Sequence, residues 1–220
     1  MRSPWTFALT FAHATHILNA LQAGKVWGIS FEKTAILLFD LFSNYEFSVA
    51  LSVLAQGGKE YDVFCLNEEA VSEEGLHVKR SKSLSELIIA DYDSLLLPGC
   101  MDLRGIIDDA RIHDFIRAFH LSTHVIASIS SSPLLLLKAG ILDGKKYIAG
   151  VMKKELLEEG FTMEQMGGMR DVTELKNDDG TITSCFVDGN LLTAVGFDFV
   201  NFGIEFGKML HLEFEPEWYR

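Results

Sequence analysis

Residues 125–144 read V-I-A-S-I-S-S-S-P-L-L-L-L-K-A-G-I-L-D-G. A β-branched apolar run (Val125, Ile126, Ile129) meets Ser130, Ser131 and Ser132, then Pro133, then Leu134 to Leu137. Proline holds φ near the helical value and has no N–H to leave unpaired, so it suits the first turn of a helix. Ser132 stands where a side-chain oxygen can cap that turn. The segment therefore predicts strand, sharp turn, helix, with Ser130 at the turn. Such a turn lifts one side chain above the end of a sheet and aims the next backbone N–H groups at it. That is how a nucleophile is presented beside an oxyanion hole.

Outward from this segment the chain alternates. T-A-I-L-L-F-D (34–40) is a short apolar run suited to a parallel strand buried on both faces. From Glu46 a helix is predicted, with Phe47, Ala50, Leu51 and Leu54 at helical spacing and Gly57-Gly58 as its stop. Y-D-V-F-C-L (61–66) predicts a second strand, 75–81 a short strand with its loop, and 83–87 a short helix. Y-D-S-L-L-L-P-G-C-M-D (92–102) is a strand entering a Pro-Gly turn. Asp108 or Asp109 then caps a helix whose inner face is Ile112, Phe115, Ile116 and Phe119. Beyond the elbow helix, Gly144 to Gly150 predicts a strand and 151–160 a short helix. Residues 170–195 read as strands joined by tight D-G and G-N turns, and 199–211 as a closing helix. Strands alternating with helices imply a three-layer α/β domain of flavodoxin-like type. Its sheet is mostly parallel, with a small antiparallel addition near the C-terminus.

Composition narrows the function. The chain has 220 residues, 48% hydrophobic, enough for one α/β core, and a formal charge of −12. That charge repels phosphate backbones, which argues against nucleic-acid binding. The three cysteines, Cys65, Cys100 and Cys185, are odd in number and widely spaced. They form neither a disulfide framework nor a zinc motif, and a reducing cytoplasm is expected. No H-x-x-x-H or H-E-x-x-H pair lies in a helix, so no metal is expected. His13 and His16 are read as surface residues. Residues 3–24 carry no Asp, Glu, Lys or Arg, but Thr6, Thr10, His13, Thr15, His16, Asn19 and Gln22 interrupt them. A signal peptide or membrane anchor needs an unbroken apolar core, so neither is expected.

Linked motifs then give a family resemblance. A-S-I-S-S-S-P (127–133) and A-G-I-L-D-G-K (139–145) resemble the elbow of the ThiJ/PfpI family, a class I glutamine-amidotransferase-like group. The N-Y-E turn (44–46), L-L-L-P-G (95–99) with M-D-x-R beyond it, and D-G-N-L-L-T-A-x-G (188–196) are similar too. The resemblance spans about 34–212. The expected organisation is an N-terminal extension at 1–32, a family domain at 33–212 and a tail at 213–220.

The resemblance implies four converging features. These are an elbow cysteine nucleophile, a glutamate from the turn after the first strand, a histidine, and backbone N–H donors from a P-G-G turn and the elbow. Glu46 fits the glutamate. Ser130 stands at the cysteine, and Ser131 at one histidine position. The other histidine position falls at Gly150. In the P-G-G turn Gly99 remains and Cys100 replaces the second glycine. A serine hydroxyl is far less ionised than a thiol and needs a base to attack.

The leading expectation is a non-catalytic member with a small polar pocket floored by Glu46, Ser130 and Ser131. It would bind a small carbonyl or carboxylate metabolite, or act through oligomerisation. The resemblance also implies a homodimer; no cofactor and no membrane partner are expected. The alternatives are a serine-dependent hydrolase or amidase, or a weak glyoxalase-like lyase. There Ser130 is the nucleophile, Glu46 the acid/base, and the Ser131 and Ser132 N–H groups the oxyanion hole. A redox sensor acting through Cys100 is the third reading.

Overall fold

The computed structural model describes residues 32–122 and 124–219. The expectations for residues 1–31, His13 and His16 among them, lie outside the described residues. Seven strands form the main sheet in the order β10-β11-β7-β6-β1-β2-β5. They are β1 (Lys33–Leu38), β2 (Tyr61–Cys65), β5 (Lys82–Ser83), β6 (Tyr92–Leu97), β7 (Val125–Ile129), β10 (Cys185–Asp188) and β11 (Leu191–Ala194). All neighbours run parallel except β10 against β11. Two small sheets lie outside it: the antiparallel β3 (Glu69–Val71) with β4 (His77–Lys79), and the parallel β8 (Tyr147–Ile148) with β9 (Met169–Arg170).

Every side chain from Ala35 to Leu38 is buried. Alternate strand residues point to opposite faces, so both faces of β1 must be covered. The cover comes from two helix pairs: α1 (Ser48–Gln56) with α5 (Phe199–Met209), and α2 (Ala110–Leu121) with α3 (Pro133–Lys138). A fifth helix, α4 (Lys153–Glu158), follows β8. The predicted stripe of the closing helix is real: Phe202 and Phe206 are buried, and Phe199, Met209 and Leu210 pack at their edge. Gly203 lets α1 come close, since a Cβ there would sit 2.6 Å from the Ala50 nitrogen.

Asp109, not Asp108, caps α2: its carboxylate accepts the Arg111 N–H at 2.9 Å, while Asp108 pairs with Lys138. Two expected strands are cut short, and a strand appears where none is expected. The strand expected at 170–176 ends at Arg170, because Asp171 turns the chain into a 3-10 turn, Val172–Glu174, by accepting the Thr173 N–H at 2.9 Å. The strand expected across 144–150 is only Tyr147–Ile148, and it pairs with β9 outside the main sheet. Glu69–Val71 was not foreseen as a strand; its side chains alternate with no strong apolar pattern. The tail is not free-standing: the Tyr219 hydroxyl lies 2.6 Å from Gln56 Nε2 and 2.8 Å from Ser52 Oγ.

The order of strands places the site. From β1 the chain moves to β2 on one side, then returns to β6 on the other. Open parallel sheets leave a crevice beyond the strand ends at such a switch. The turns after β1, β6, β7 and β11 all open at that edge.

Gly203→Leu is expected to destabilise the fold by about 3 kcal/mol through overpacking against α1, seen as a melting-temperature drop of roughly 6–12 °C. A melt indistinguishable from wild type would refute the close approach.

Candidate active site at the elbow

The turn after β1 is stitched to the turn after β6. Ser43 N–H donates to the Gly99 carbonyl at 2.9 Å and Met101 N–H to the Leu41 carbonyl at 3.2 Å. The β3–β4 hairpin supports this turn from outside. Leu41 N–H donates to Val71 (2.7 Å), Glu73 N–H to Phe42 (3.0 Å), and Ser43 Oγ to Glu73 Oε1 (2.6 Å). Held this way, the 3-10 turn Tyr45–Phe47 sends Glu46 inward, where it is 3% exposed.

Ser130 meets it from the elbow. Its φ is +63°, the left-handed region that a side chain enters at a cost of about 1–2 kcal/mol. The strain is held from both sides: Ser130 N–H donates to the Ala194 carbonyl at 2.8 Å, and its carbonyl accepts the Gly150 N–H at 2.5 Å. The predicted strand–turn–helix is thus present, with Ser130 at its apex.

Glu46 Oε2 accepts the Gly99 N–H at 2.8 Å, and its carboxyl also bonds the Ser130 side chain. Burial pushes the Glu46 pKa up; the bonds from Ser130 and Gly99 offset part of this, and the charge of Glu73 adds to the rise. Three glycines wall the pair. A Cβ at Gly99 would lie 2.5 Å from Glu46 Oε2 and 2.8 Å from Ser130 Oγ. One at Gly150 would lie 3.0 Å from Ser130 Cα and 3.2 Å from its Oγ, and one at Gly196 would collide with Glu46 Oε1. Gly150 is therefore beside Ser130, as expected. Gly196, inside the D-G-N-L-L-T-A-x-G motif, is a wall of the site that its sequence context does not reveal.

The two neighbouring serines differ from expectation. Ser132 does not cap α3: its backbone is already helical (φ −65°, ψ −20°), and a capping residue needs an extended one. Its hydroxyl turns back into the sheet, 3.0 Å from the Leu97 carbonyl and 2.8 Å from Ser128 Oγ. Its N–H donates to Ile129 at 3.2 Å, so it is not an open oxyanion donor. Ser131 Oγ accepts the Cys100 N–H and donates to the Cys100 carbonyl, both at 3.0 Å.

No histidine among the described residues bonds Ser130. His77 faces Glu69 on the hairpin, and His113 bonds the Ile107 carbonyl at 2.8 Å. His124 is held by Ser122 at the opposite end of β7, and burial lowers its pKa. That strand alone spans roughly 17 Å. His120 and His211 lie on α2 and just past the end of α5. Among the described residues no cluster of His, Cys, Asp and Glu could hold a metal ion, and no helix is long and apolar enough to cross a membrane. Burial pushes the thiols of Cys65 and Cys100 up to about 11 and that of Cys185 up to about 12. A thiol near 11 is thiolate in about one molecule in ten thousand at neutral pH.

Ser130 and Ser131 open onto a cleft of about 650 Å³. Its walls include Leu103, Ile107, Leu134, Val151, Leu156 and Phe161, and Cys100 stands at its edge. Glu46 does not line it; the carboxyl sits behind Ser130 and does not floor an open pocket. Asp102, Glu155, Glu158 and Glu159 face the cleft against the single guanidinium of Arg104. Arg104 is itself forked onto Asp102 and holds that carboxyl down to about 2. The acidic rim was not foreseen: K-K-E-L-L-E-E reads as an ordinary solvated helix.

These features define a class: a parallel α/β domain whose elbow carries a hydroxyl next to a buried glutamate. The DJ-1/PfpI family model matches residues 32–209, and the chain belongs to that family. Protein/nucleic acid deglycase 2 of Escherichia coli is 30% identical over 123 residues, covering 54% of this chain and 70% of that one. General stress protein 18 of Bacillus subtilis is 27% identical over 124 residues, 52% of this chain and 69% of that one. A DJ-1 superfamily protein of Agrobacterium tumefaciens shares the fold at a TM-score of 0.69 and 22% identity, covering 85% of this chain and 93% of that one.

The raised Glu46 pKa fixes a sign. The fold favours the protonated acid, so its contribution is fully present below the ordinary glutamate pKa of about 4.3 and is lost as pH rises through the folded value. Glu46→Gln mimics the protonated acid. Its stability relative to wild type is expected to be flat near pH 4 and then to grow with pH, by at most about 1.4 kcal/mol per pH unit. Denaturant melts across pH 4–8 measure this; a difference that shrinks with pH would refute it.

Proposed function

We propose that this DJ-1/PfpI-family domain is silent in cysteine-type chemistry and holds a small neutral molecule, of carbonyl type, in the elbow cleft. One observation carries the reading: the Ser130 hydroxyl has glycine at 150 and no imidazole bonded to it among the described residues, with the buried Glu46 carboxyl beside it. Without an imidazole the hydroxyl lacks the base that would activate it. The rim of carboxylates disfavours a carboxylate ligand, so of the carbonyl and carboxylate classes the neutral one is retained. The hydrolase, lyase and Cys100 redox readings have no comparable support, since the Ser132 N–H is occupied and the thiol is pushed up to about 11.

We also propose a homodimer. The exposed Leu41, Tyr45, Met101 and Phe197 flank this end of the sheet and support it.

A fluorophosphonate probe is expected to leave Ser130 unlabelled in the folded protein. Glyoxals, amides and esters are expected to show no saturable turnover that disappears in Ser130→Ala. Labelling of Ser130, or Ser130-dependent turnover, would overturn the reading.

A further inference from the structure

Ser131 does more than border the cleft. Its hydroxyl takes up both backbone groups of Cys100, accepting from the N–H and donating to the carbonyl, each at 3.0 Å. Ser131 is 9% exposed. An elbow holds an oxyanion with the N–H of the residue after the nucleophile and an N–H from a neighbouring strand-end loop. Here the first is the Ser131 N–H, for which no acceptor is placed among the described residues. The second has two candidates in the turn after β6. The Gly99 N–H is committed to Glu46 Oε2 at 2.8 Å. The Cys100 N–H is the other. Gly99 is pressed against Ser130, Cys100 follows it directly, and Cys100, Ser130 and Ser131 line one cleft.

We propose that Ser131 is the residue that closes the elbow to oxyanions, by occupying the Cys100 N–H with its own hydroxyl. This deepens the reading of a silent elbow and rests on the same site. It adds a second barrier, independent of which residue stands at position 130. It also makes Ser131 a specificity-determining residue: while its hydroxyl holds the Cys100 N–H, a carboxylate or a developing alkoxide finds one donor where two are needed.

Two reagents separate this barrier from the weak nucleophile, both used on a Ser130→Cys background. With p-nitrophenyl acetate the introduced thiolate forms a C–S bond to the carbonyl carbon, and the carbonyl π pair moves onto oxygen as an oxyanion. Its collapse breaks the C–O bond and expels p-nitrophenolate; the thiol proton goes to buffer. With iodoacetamide a C–S bond forms, the C–I bond breaks and iodide leaves, with no oxyanion. Adding Ser131→Ala is expected to speed acylation by roughly ten- to a hundredfold while alkylation moves less than about twofold. Ser131→Gly, which also lacks the hydroxyl, is expected to follow Ser131→Ala, and Ser131→Thr, which keeps it, to stay slow.

Equal acylation with and without Ser131→Ala would overturn the proposal. So would a gain that alkylation matches, because that reports exposure of the thiol and not an oxyanion site. A difference between Ser131→Ala and Ser131→Gly would assign the effect to packing and overturn it too. None of these outcomes touches the silence of the wild-type serine, which the fluorophosphonate result decides separately.

Discussion

A carboxyl and a hydroxyl are held together in a space that admits no third side chain. Glu46 is almost fully buried, Ser130 stands on a left-handed backbone, and glycines at 99, 150 and 196 close on them. Each wall comes from a different turn. The pair can form only when β1, β6, β7 and β11 lie in order with their ends level. The β3–β4 hairpin, far from the elbow in sequence, belongs to the same constraint, since its hydrogen bonds fix the turn that sends Glu46 inward.

The chemistry follows from what this enclosure omits. Burial raises the Glu46 pKa, but a carboxylate is still a far weaker base than the alkoxide of a serine, and no imidazole joins the pair among the described residues. A thiol ionises far more readily than a hydroxyl, so it would need less help in the same place. A hydroxyl needs an imidazole or its equivalent. The backbone donors are also spoken for: Gly99 N–H on Glu46, Cys100 N–H on Ser131, Ser132 N–H on Ile129. The elbow keeps its shape while the groups that would turn shape into catalysis are absent or occupied.

The cleft above it is biased in charge. Four carboxylates face one arginine that is already paired, and the two elbow serines and an apolar wall make up the rest. With the chain's overall charge of −12, this makes the approach of an anion unfavourable from a distance as well as at contact. The cysteines complete the picture: burial keeps their thiols protonated, including Cys100 at the cleft edge.

The sequence alone was enough for the architecture and for the elbow. Apolar runs of strand length, helical stripes such as Phe202 and Phe206, and serine before proline are local patterns, and local patterns survive in one dimension. The family resemblance picked out Glu46, Ser130, Gly99 and Gly150, which lie against one another in the fold. The sequence could not show that Ser132 turns back into the sheet, that Asp171 ends a strand, or that Ser131 binds Cys100, because each depends on which groups a neighbouring turn leaves free. Nor could it show that Glu46 lies behind Ser130 and not in the open cleft, or that Gly196 presses on the pair. Those are distances between segments far apart along the chain, and only the closing of the sheet brings them within reach of one another.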